Sequence, residues 1–119
     1  FDCPFIMIHS AVNKIKPTKD LMPNRYNGTH IDLLDQLTFY GASKRRFSLD
    51  MWCKTFNIKS PKSANESGEI ITGYKVKNLF KSGRYVDIAR YCAGDLKATK
   101  ELFSIWENYI KVGSQKTYA

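Results

Sequence analysis

The stretch from about Tyr85 to Ile110 constrains this chain most, because it carries the longest helical repeat in the sequence. Apolar and small residues at Ile88, Cys92, Thr99, Leu102, Trp106 and Tyr109 recur at the spacing of one helix face. Asp95 falls inside that stripe, and Tyr91 stands one turn before it on the same side. A carboxylate on a core-facing stripe is costly unless something pairs with it. Gly94 beside it costs ~1 kcal/mol relative to alanine in a helix interior. Two readings stay open at this point. One is a structural Asp satisfied by a nearby Lys, Arg or backbone N–H; the other is a site in which acid and phenol act together.

With 119 residues there is material for one domain with one core. Hydrophobic content of 43% and charged content of 25% are ordinary for a soluble protein, but a net charge of +8 is not. That excess favours a polyanionic partner, most simply nucleic acid, ahead of an anionic membrane surface. No apolar run approaches a membrane span, and no basic start with an apolar core marks a signal peptide. Cys3, Cys53 and Cys92 form no C-x-x-C pair and are odd in number, which suits reduced, buried thiols and a cytoplasmic location. Two histidines, His9 and His30, make a zinc site or a histidine-activated nucleophile improbable. Neither G-x-G-x-x-G nor G-x-x-x-x-G-K-[ST] occurs, which argues against a nucleotide-dependent enzyme.

Along the chain, Asp2 and Pro4 suit the start of a helix, and Phe5, Ile8, Val12 and Ile15 predict an amphipathic helix over 4–14. Residues 16–28 read as a loop. Thr29 to Leu34 reads as a short strand running into a helix that carries Leu33, Leu34, Leu37 and Tyr40 and stops at Gly41. Asp32 is either the cap of that helix or a second carboxylate near the site. Lys44-Arg45-Arg46 is either a solvated face or a phosphate contact. Ser48 is a candidate N-cap for a helix packing through Leu49, Trp52, Cys53 and Phe56 and stopping at Asn57. Residues 59–68 form a polar loop, either a flap over a groove or a plain connection. Residues 72–80 predict a short helix packing through Tyr74, Val76, Leu79 and Phe80. Residues 111–119 form a polar tail expected to fray.

Two motifs at opposite ends of this order resemble one family. Phe1-Asp2-Cys3-Pro4-Phe5-Ile6 resembles the end of the second motif of the 3′–5′ exonucleases of the ribonuclease H-like superfamily. The version nearest to it belongs to the exonuclease domain of family B DNA polymerases and its stand-alone relatives. Tyr91-x-x-x-Asp95 resembles the third motif of the tyrosine-carrying subgroup, and His30-Ile31-Asp32-Leu33, the helix ending at Asn57-Ile58, and Ile88 to Cys92 fall in matching order. The resemblance spans residues 1–110 and implies an α/β fold, of which this chain is the mostly helical C-terminal part with one or two short strands.

It also implies chemistry. Asp95 is expected to ligate one divalent ion, Mg²⁺ or Mn²⁺, Asp2 to help hold a second, and Tyr91 to orient the water that attacks the terminal phosphodiester. Hard cations favour carboxylate oxygens, and two such ions can activate the water and stabilise the leaving oxygen. Phe1, Lys44, Arg45 and Arg46 are the candidate contacts to a single-stranded DNA 3′ end, with RNA as the other nucleic acid. The family's first motif, Asp-x-Glu, occurs nowhere here, and the Asn that opens the second motif is missing. The chain also opens at Phe1 rather than Met, so a truncated piece with two of four metal carboxylates, inactive alone, is expected. The alternative is a non-catalytic basic helical module that binds nucleic acid or a replication partner.

Overall fold

A computed structural model describes residues 2–21, 30–45, 47–60 and 68–112. Their regular structure consists of five helices: α1 (Asp2–Val12), α2 (Leu33–Leu37), α3 (Leu49–Thr55), α4 (Gly73–Lys81) and α5 (Tyr85–Ile105). A π-helical segment, Trp106–Ile110, continues α5. The residues gather into two compact units, one of Phe1–Ala42 with Val112–Ala119 and one of Ser43–Lys111.

In the first unit, α1 begins at Asp2 itself, so this acid lies inside the first turn, where it complements the positive end of the helix dipole. Pro4 sits in the same turn, where a missing N–H costs nothing. No residue of α1 is buried, and Phe5, Ile8 and Val12 all face solvent. Cys3 Sγ lies 3.5 Å from His30 Nε2, tying α1 to the segment ahead of α2.

The short strand expected near Thr29–Leu34 is not formed: residues 30–32 have no regular structure, and no strand occurs among the described residues. The Asp32 carboxylate instead accepts from Leu34 N (2.9 Å) and Asp35 N (3.3 Å), so it is the cap of α2. Short acidic side chains compete in this way for the donors a strand ladder would need. The helix stops at Leu37 rather than at Tyr40. Thr38 Oγ1 donates to Leu34 O at 2.6 Å, and Phe39, Tyr40 and Gly41 all turn left-handed, with φ of 51°, 56° and 89°.

The second unit is assembled on α5, which packs against both α3 and α4. Ser48 caps α3 by accepting from Met51 N at 3.4 Å, and Asn57 ends it in the left-handed conformation with φ 55°. The core gathers Cys53, Ile58, Ile71, Leu79, Ala98, Leu102 and Trp106. Burying a side chain the size of leucine stabilises by ~1.5–3 kcal/mol.

Two expected faces are corrected. Tyr74 and Phe80 do not join the core: Phe80 is exposed and meets only the edge of the Tyr85 ring, with centroids 5.4 Å apart, and Tyr74 is 97% exposed, because it lies two residues from Val76 and therefore on the opposite side of α4. On α5 the buried stripe runs through Ala98, Leu102 and Trp106, whereas Cys92, Thr99 and Tyr109 are exposed. Thr99 Oγ1 turns back to donate to Asp95 O at 2.8 Å. Tyr109 falls on the π-helical segment, where Lys111 N reaches Trp106 O at 2.8 Å, and the wider turn rotates the face away from the α-helical stripe. The expectation of three buried thiols holds only at Cys53: Cys3 is half-buried and Cys92 is exposed.

Candidate active site

Tyr91 and Asp95 both lie on α5, partly buried, one helical turn apart. They stand in register with the buried Ala98 and Leu102, so the acid and the phenol share the side of α5 that carries the core. The Tyr91 phenol is pushed above its ordinary value, first by burial and then by the Asp95 charge. It therefore stays protonated through the physiological range, able to donate to a water and polarise it. The Cys53 thiol on α3 is raised as well, first by burial and then by Asp50, Glu101 and Asp95.

Asp50 is held by Lys54 Nζ at 3.0 Å and by the Ser60 hydroxyl, which fixes the segment leaving α3. The α4–α5 corner is held by Arg84. Its Nη2 lies 2.7 Å from Glu69 Oε2 and its Nε 2.8 Å from Asp87 Oδ2, so one guanidinium joins the approach to α4 with the first turn of α5. Only part of this support is legible in the sequence. Arg84 and Asp87 carried a helical spacing signal, but Glu69, 15 residues away, carried none.

The remaining candidates are distributed differently. Asp2 lies exposed in the first turn of α1, in the unit that does not contain Asp95. Lys44 and Arg45 are exposed ahead of α3, whereas Phe1 and Arg46 lie outside the described residues. Among the described residues, no three His, Cys, Asp or Glu side chains come together as a metal-holding group. The donor type nevertheless fits a hard cation, because Mg²⁺ is commonly held by one or two carboxylates plus waters and substrate phosphates.

A family model described as a predicted 3′–5′ exonuclease related to the exonuclease domain of PolB matches residues 9–117. The chain belongs to this family. Comparison with curated proteins and with solved structures gave no match. Within this exonuclease-family chain, the matched stretch includes Lys44, Arg45, Arg46, Tyr91 and Asp95. Asp2 lies ahead of it, so its assignment rests on the Phe1-Asp2-Cys3-Pro4 motif alone. No described helix of this exonuclease relative is long and apolar enough to cross a membrane.

Proposed function

We propose that this chain contributes part of the active site of a metal-dependent 3′–5′ exonuclease that hydrolyses terminal phosphodiesters of single-stranded DNA. The observation that supports the reading most is the half-buried Tyr91–Asp95 pair on one face of α5, inside the family-matched stretch. On this reading the chain is a mostly helical part of an α/β ribonuclease H-like fold. Asp95 would hold a divalent ion, which when bound supplies Lewis-acid stabilisation of charge at the phosphate, and Asp2 is the residue that the Phe1-Asp2-Cys3-Pro4 resemblance assigns to a second ion. Tyr91 keeps its proton, accepts or donates one hydrogen bond to the attacking water, and sets that water's direction. Lys44 and Arg45 attract the strand's phosphates.

The test is Mg²⁺-dependent release of nucleotides from the 3′ end of single-stranded DNA by the protein. Asp95→Ala should abolish it, and Tyr91→Phe should lower the rate by roughly 10²-fold, the scale of a lost acid–base or water-positioning group. Activity unchanged in Asp95→Ala would sink the assignment. Salt-sensitive binding indifferent to both Mg²⁺ and Asp95→Ala would point instead to a non-catalytic basic module.

A further inference from the structure

The outward side of α4 carries a feature that the catalytic reading does not use. Tyr74 is 97% exposed, more than any other large hydrophobic side chain among the described residues. Lys77 and Lys81 follow it by three and seven residues, which puts all three on one side of the helix, opposite the buried Leu79. At 1.5 Å per residue the steps along the helix axis are ~4.5 Å and then ~6 Å. The helix Gly73–Lys81 contains no acidic residue. Neither Lys77 nor Lys81 joins an ion pair among the described residues, whereas Lys75 donates to Ile70 O at 2.7 Å. A phenol ring held in water loses apolar contact that a neighbouring ring or base would restore.

We propose that the Tyr74–Lys77–Lys81 side of α4 is a binding surface for single-stranded nucleic acid. A base stacks on the phenol of Tyr74, and the adjoining phosphates lie against the two ammonium groups. A stacking ring beside a row of cations suits a single strand, whose bases are free to stack, and not a duplex, whose bases are already paired. The inference takes its ligand class from the exonuclease reading and adds where the strand is held.

The experiment measures binding of the 119-residue chain to a fluorescein-labelled 20-nucleotide oligothymidylate by anisotropy, in EDTA and at several salt concentrations. Tyr74→Ala should weaken binding about tenfold, within the range for losing one stacked base, and Tyr74→Phe should retain it. The double variant K77Q/K81Q should reduce the slope of log K against log salt by about 1.4, the loss of two single-strand phosphate contacts. Circular dichroism should be unchanged in all of them, since the substituted side chains face water. Wild-type affinity in Tyr74→Ala overturns the proposal. So does equal loss in Tyr74→Phe and Tyr74→Ala, or equal affinity for a duplex. An effect of the lysines without one of Tyr74 also overturns it and marks a charged surface of the kind an acidic protein would meet. Because EDTA suppresses hydrolysis, failure here is distinct from failure of Asp95→Ala to affect nucleotide release.

Discussion

At the residue scale, adjacent positions on α5 have opposite fates. Tyr91 is partly buried and Cys92 is exposed, because each step along a helix turns the side chain by about 100°. The pairing of Tyr91 with Asp95 was legible because i and i+4 is a purely local relation. The exposure of Cys92 was not, because a stripe read at one-residue precision can rotate by a full position. Two of the thiols provide a direct check. Cys92 should react with an aromatic disulfide reagent in the native protein, whereas Cys53, fully buried and with its thiol pushed up by burial and by neighbouring carboxylates, should react only on unfolding. Rapid native labelling of Cys53 would contradict the packing of α3 on α5.

At the element scale, helix boundaries followed local chemistry wherever a cap was present. Ser48, Asp32 and Asn57 act as the sequence suggests, and each such cap is worth about 1 kcal/mol. The expected strand failed for the complementary reason. A strand is completed by a partner distant in sequence, which no local pattern supplies. The corner between α4 and α5 is likewise non-local. Arg84 donates to Glu69 across 15 residues and holds its carboxyl below the ordinary value, chiefly through that hydrogen bond. A carboxyl depressed in the folded state stabilises above its unfolded pKa and loses that contribution as pH falls through the folded value. The wild-type melting temperature should therefore drop more between pH 6 and pH 3 than that of Glu69→Gln, measured by circular dichroism. Parallel curves would show that the clamp contributes nothing to folding.

At the scale of the whole molecule, charge is divided unevenly. Ser43–Lys111 holds 14 basic and 7 acidic residues, against 5 and 4 in the remainder of the chain. The net charge of +8 was legible from composition, but its concentration in the unit with Tyr91, Asp95 and Tyr74 became visible only once the chain was divided. That unit should also be the one weakened by losing core volume. Leu102 is 2% exposed, so Leu102→Ala should destabilise it by about 3 kcal/mol in urea unfolding, the cost of deleting a buried leucine. A change below about 0.5 kcal/mol, the usual scale of a surface substitution, would place Leu102 outside the core. Both tryptophans of the chain belong to this unit as well. Trp52 lies between Phe47 and Phe56, and Trp106 is buried with the Lys111 ammonium 5.6 Å from its ring centre. Light emitted on indole excitation therefore originates wholly from Ser43–Lys111, and the chain carries a built-in optical reporter for that half, while the half containing Asp2 is dark.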